Sequence, residues 1–169
     1  MINVGTKSLL FGVHQVIWHP LTVYKAWIKL YGRPSWKECV CIVIHDWGYW
    51  GKPNMDGSEG SNHPELGASI AGKLFGKEYS ELCLLHSRTY ANKVGKEPSK
   101  LCWADKLSIA YEAKWTYLIR ARLSGEIKEY RNIAACSGFI SRVEPHEEWF
   151  SKLKELYTQV GLSKRGEFV

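Results

Sequence analysis

Six residues spread along the chain carry groups able to hold a metal ion or move a proton: His19, the adjacent pair His45-Asp46, His63, His86 and Asp105. Asp46 follows the apolar run Cys41-Ile42-Val43-Ile44, and a carboxylate at the end of such a run must be paired, neutralised or bound to a metal. Adjacent residues on a helix point about 100° apart. One ion can therefore meet both His45 and Asp46 only at an edge facing a cavity, with further ligands arriving from other helices. Imidazole and carboxylate together suit Mn, Fe, Co, Ni or Zn, whereas an all-oxygen site would suit Mg. Ligation needs neutral imidazole and ionised carboxylate. His19 and His63 each precede a proline, which favours a helix starting there. A helix N-terminus disfavours positive charge, so the sequence predicts that both rings stay neutral. His14 competes with His19 for the place of first ligand; it lies five residues earlier, and one straight helix would not point both at one site. His19 is therefore preferred. His146, in "PHEEW", has no partner at metal spacing and reads as the start of a surface helix.

The elements that must position these groups are helical. Leu21, Tyr24, Trp27, Ile28 and Tyr31 recur at three- and four-residue steps, and Gly32 before Pro34 supplies a stop. Pro34-Ser35 opens a second segment that closes at Gly48. Its centre is apolar on all sides and rich in β-branched residues, so a buried parallel strand is the competing assignment. Helix is preferred because no strand-helix alternation follows. Residues 48–62, with four glycines, a proline and an Asp-Gly step, read as loop. Further helices are expected at 64–75, 78–88, 98–121, 125–136 and 145–160. The expectation is an all-α, compact bundle of about six or seven helices forming one domain over residues 1–162, with a loose tail at 163–169.

Composition narrows the partners. Of the 169 residues, 45% are apolar and 24% charged, which is globular composition, and the net charge of +6 favours an anionic partner. No block of five or more like charges marks a dedicated nucleic-acid arm. No stretch reaches the ~18 apolar residues that a membrane-spanning helix needs. The five cysteines form no C-x-x-C pair and sit mostly in apolar runs, the pattern of a reduced, cytoplasmic protein. H-E-x-x-H, Walker A and G-x-G-x-x-G motifs are absent, which removes zinc-protease, P-loop and dinucleotide readings.

The order His19, His45-Asp46, His63, His86, Asp105 resembles the H…HD…H…H…D signature of the HD-domain superfamily, over about Trp18 to Tyr111. "HDWGYWG", "NMDG", "HPELGA" and "ADKL" are similar to small phage and bacterial members. The resemblance implies a helical bundle and metal-dependent phosphohydrolase activity through a metal-activated water. It matches His19, His45, Asp46 and Asp105 to the core ligands of one divalent ion, and His63 and His86 to a second. Asp46, Glu65 and Lys106 are the catalytic candidates. Lys106 matches a basic residue frequent in the family. Glu65 reads either as proton acceptor or second-layer partner to a histidine, or as a first-turn glutamate complementing the helix dipole. Lys52 and Arg88 are phosphate-binding candidates. Trp47, Tyr49 and Trp50 could stack on a base, worth ~1–3 kcal/mol per base, or cap the core. The implied substrate is a small anionic phosphate ester, a nucleoside mono- or triphosphate above all, and a homo-oligomer is compatible with the aromatic content. Two alternatives remain: a di-iron oxygenase on the same ligands, and a non-catalytic nucleotide-binding module.

Overall fold

In a computed structural model, which describes residues 2–164, all regular structure is helical. The order is α1 (Val4–Phe11), α2 (Trp18–Tyr31), α3 (Trp36–Ile44), α4 (Pro64–Phe75), α5 (Lys77–Leu84), α6 (Arg88–Lys93), α7 (Lys100–Ser108), α8 (Lys114–Ser124), α9 (Glu126–Cys136) and α10 (His146–Ser163), with three short 3₁₀ turns between them. Among the described residues there is no strand, so the strand alternative for residues 36–44 is excluded. Ser35 caps α3 reciprocally: its hydroxyl accepts from the Glu38 amide at 3.3 Å, and the Glu38 carboxylate accepts from the Ser35 amide at 2.7 Å.

The ten helices among the described residues exceed the six or seven expected, for three reasons. Residues 4–11 form a helix that periodicity alone does not single out. Ser87 caps the short α6 by accepting from the Tyr90 amide. The helix expected over 98–121 breaks at Glu112, whose backbone is extended (φ −84°, ψ 133°). There the Glu112 carboxylate is buried against Arg120, while Lys154 donates to the Glu112 carbonyl at 2.8 Å. A tertiary ion pair overrides a helical pattern that continues through the sequence. The structure carries α10 through Ser163, beyond the expected end of the domain, and residues 165–169 of the expected loose tail lie outside the described residues.

Two large apolar clusters and a small third one, of Leu9, Tyr49 and Met55, hold the described bundle. Val23, Ala26, Trp27 and Leu30 of α2 pack with Cys41 and Ile44 of α3 and Leu101, Ala104 and Leu107 of α7. Leu118, Ala121, Ile127, Trp149 and Phe150 form the second, between α8, α9 and α10. Each fully buried large side chain contributes about 1.5–3 kcal/mol. All five cysteines are free thiols. No helix among the described residues is long and apolar enough to cross a membrane. Trp115, Ile119 and Leu123 of α8 remain exposed, as do Leu10 and Phe11 of α1, which packs on α8.

Candidate metal centre

The first apolar cluster ends in polar groups. α3 stops at Ile44, so His45 is its C-terminal cap and Asp46 begins the 3₁₀ turn Trp47–Tyr49. His19 lies in the first turn of α2, His63 caps α4, His86 follows α5, and Asp105 projects from α7. Five separate segments thus bring the six predicted groups together. All except Asp105 are buried.

Asp46 is the hub. Its Oδ2 lies 3.2 Å from His19 Nε2 and 3.1 Å from His45 Nε2, while its Oδ1 lies 3.3 Å from His86 Nε2 and 3.6 Å from His63 Nε2. Asp105 Oδ1 meets His19 Nε2 at 3.1 Å. Three of the imidazoles are anchored alike: Nδ1 of His45 donates to the Ile42 carbonyl and Nδ1 of His63 to the Gly60 carbonyl, both at 2.8 Å, and Nδ1 of His86 donates to the Cys83 carbonyl. A carbonyl only accepts, so each Nδ1 carries a ring proton and each Nε2 is the nitrogen turned toward Asp46. His63 Nε2 and His86 Nε2 stand 3.0 Å apart. His19 Nε2, His45 Nε2 and Asp46 Oδ2 are buried, and none is aligned for a hydrogen bond. Such unsatisfied nitrogen and oxygen atoms converging on one point are what a cation would satisfy, and several His/Asp groups here have the spacing to bind a metal ion: His19-His45-Asp105, His45-Asp46-His86 and His14-His19-Asp46.

The local electrostatics agree. Burial would push the Asp46 carboxyl up, but the surrounding His45, His14 and His19 rings outweigh it and hold it well below the usual range. For Asp105, burial is outweighed by Lys106, whose ammonium lies 3.2 Å away, and by His19. Burial keeps His45 and His63 below the ordinary imidazole value, with His86 adding to the effect at His63. His19 departs from the sequence expectation of a neutral ring. Burial opposes its protonation, but Asp105 and Asp46 offset that and raise its pKa to about 10. In the metal-free protein this ion pairing stabilises the fold fully below about pH 6.5 and is lost as pH rises through about 10. An ion entering the site must displace the His19 proton. Its apparent affinity is therefore expected to rise about tenfold per pH unit between pH 7 and 9, measured by Mn²⁺ titration against a competing chelator. A flat profile would contradict this assignment of the proton.

A cavity of about 690 Å³ opens on the centre. Lys106 and Arg88 line it, both over the Tyr157 ring at 5.6 and 5.9 Å from its centroid. Its far side is built from α9 and α10, with Ile133, Leu153, Leu156 and Tyr157. Of the predicted aromatic loop, only Tyr49 reaches the cavity, stacked on His63 at 4.0 Å between ring centroids. Trp47, Trp50 and Lys52 do not line it. Trp50 is 63% exposed, and the loop instead ties to α1, where Gly5 donates to the Lys52 carbonyl and Asn3 to that of Gly51. Glu65 is exposed in the first turn of α4 and also lies off the cavity, the position that suits the helix dipole.

His14 corrects a second expectation. α2 begins only at Trp18, so His14 sits in a turn and reaches the same site as His19. Glu112 and Asp56 also line the cavity and lack a sequence signal of their own. Asp56 sits in a loop that Glu129 pins by accepting from the amides of Met55 and Asp56.

Gly48 sets the spacing between the two halves of the site. A Cβ there would lie 1.9 Å from the His63 carbonyl oxygen, a backbone atom that cannot step aside cheaply. Gly48→Ala is expected to destabilise the fold by about 1–3 kcal/mol, seen as a lower thermal midpoint, and to weaken metal binding. An unchanged midpoint would refute that packing.

Comparison with known protein families, with curated proteins and with solved structures yields no match.

Proposed function

We propose that the chain is a metal-dependent phosphohydrolase of the HD-domain type, acting on a small phosphate ester, in the first instance a nucleotide. The observation that carries this reading is the two-sided use of Asp46, with His19 and His45 on one oxygen and His63 and His86 on the other, beside the cations of Lys106 and Arg88. His19, His45, Asp46 and Asp105 would hold one ion, and Asp46, His63 and His86 a second. A bound divalent ion supplies charge against phosphate oxygens and activates a water. The chain's own groups do the rest. Lys106 and Arg88 offer donors for the non-bridging oxygens, and the Tyr157 ring under both cations orients them. The Asp46 and Asp105 carboxylates stay ionised, as ligation requires. The apolar wall of α9 and α10 receives the organic part of the ester and excludes water from it. A base would then stack against Tyr157 and its neighbours, not against the exposed Trp50, which does not line the cavity.

The test is a phosphate-release screen over nucleoside mono- and triphosphates with Mn²⁺- or Co²⁺-loaded protein, with products separated by chromatography. Orthophosphate from a monophosphate, or triphosphate from a triphosphate, supports the reading; no turnover of any phosphate ester sinks it. The His63–His86 pair facing Asp46 also suits a di-iron oxygenase. Substrate-dependent oxygen uptake by iron-loaded protein, without phosphate release, would favour that second reading.

A further inference from the structure

Glu126 is wholly buried, far in sequence from the six ligand positions, and unusually well satisfied. It accepts hydrogen bonds from Ser8 Oγ at 2.6 Å, the Val13 amide at 2.9 Å, the Tyr130 hydroxyl at 3.2 Å and Ser124 Oγ. Its Oε1 also lies 3.1 Å from His14 Nδ1. A carboxylate with that many donors is ionised and can only accept, so His14 Nδ1 carries a proton and Nε2 is the nitrogen turned away from Glu126. Nδ1 is fully committed, because Ser8 Oγ lies 3.0 Å from it as well. Nε2 is the remaining ligand atom, and His14 has the spacing to share an ion with His19 and Asp46. The turn is shaped for this arrangement: a Cβ on Gly12 would sit 2.4 Å from Glu126 Oε2 and 2.8 Å from Ser124 Cβ.

We propose that His14 is a further ligand of the metal centre, oriented by Glu126 as a carboxylate–histidine–metal relay that joins the α1–α2 and α8–α9 turns to the site. This rests on the metal-centre reading above. His45, His63 and His86 lean on backbone carbonyls three residues earlier, whereas His14 leans on a charged group 112 residues away. A carboxylate partner fixes the tautomer as a carbonyl does and makes the imidazole a stronger donor to a cation. A histidine used only for packing would need neither the ionised partner nor the four other donors that keep it charged. Glu126 is accordingly a positioning residue, and His14 is the group that meets the ion.

The test is Co²⁺ titration of chelator-stripped protein, followed by its visible absorption bands and by competition with a chelator. Because removing Glu126 endangers the fold, His14→Gln, at a turn and with similar volume, carries the decision; His14→Gly with added imidazole is its complement. His14→Gln is expected to weaken Co²⁺ binding about 100-fold and to shift the Co²⁺ bands, with imidazole restoring both in His14→Gly. A folded Glu126→Gln chain is expected to lose about 10- to 100-fold in affinity, the range for partners of metal-ligating histidines. Wild-type affinity and an unchanged spectrum in His14→Gln would overturn the proposal while leaving the metal centre standing. Failure of the wild-type protein to bind Co²⁺ would overturn both.

Discussion

Replacing Asp46 by asparagine is expected to lower turnover by at least about 10³-fold and to strip the protein of tightly held metal, while the far-ultraviolet circular dichroism stays helical. The size follows from the position of this carboxylate. Its two oxygens face four imidazoles within 3.6 Å, each oxygen serving a different pair of them. A metal-held electrostatic interaction is worth several kcal/mol in a transition state, and about 4 kcal/mol is a factor of 10³. Asparagine keeps the shape and one oxygen but loses the charge that offsets a divalent ion. The fold should survive because Asp46 lies beyond the end of α3 and the apolar cluster behind it, from Val23 to Leu107, is untouched. Turnover within tenfold of wild type, with full metal content, would contradict the role given to Asp46.

The second large effect is expected at Lys106. Lys106→Met should reduce kcat/KM for a nucleotide about 100-fold with metal content unchanged, because a charge-assisted hydrogen bond to a phosphate oxygen contributes about 1.5–3 kcal/mol. The ammonium is built into the site: burial opposes its charge, but Asp105 beside it more than compensates and raises its pKa. Methionine preserves the stem packed near Tyr157 while deleting the charge. Loss of metal together with activity would instead make Lys106 a support for Asp105, and unchanged kcat/KM would remove it from substrate binding. Trp50→Ala provides the contrast. With its ring 63% exposed and off the cavity, it should leave KM for a nucleotide unchanged.

Five of the six converging residues were legible in the sequence because each lies at or near the end of an apolar element, whereas Asp105 sits inside α7. A buried run that stops at His45-Asp46, or a "His-Pro" opening at His19 and His63, leaves a polar group at a helix end facing inward. Where the sequence misled, longer-range contacts decided. The aromatic residues of "WGYWG" look equivalent by type, but the loop is tied to α1 through Gly5 and Asn3, so only Tyr49 turns inward. Glu112 ends a helix that periodicity continues, because Arg120 and Lys154 hold it. The expectation of a neutral His19 considered the helix terminus and missed two carboxylates, one of them 86 residues away at Asp105. Glu126 carries no local signal at all; its meaning comes from Ser8, Val13 and His14, more than 110 residues earlier.

The most direct measurement is calorimetric titration of Mn²⁺ or Co²⁺ into chelator-stripped protein at pH 8, in two buffers of different ionisation enthalpy. Saturable binding at one to two ions per chain, with about one proton released as His19 gives up its charge, is the predicted result. Weak, unsaturable uptake that Asp46→Asn leaves unaltered would contradict the account.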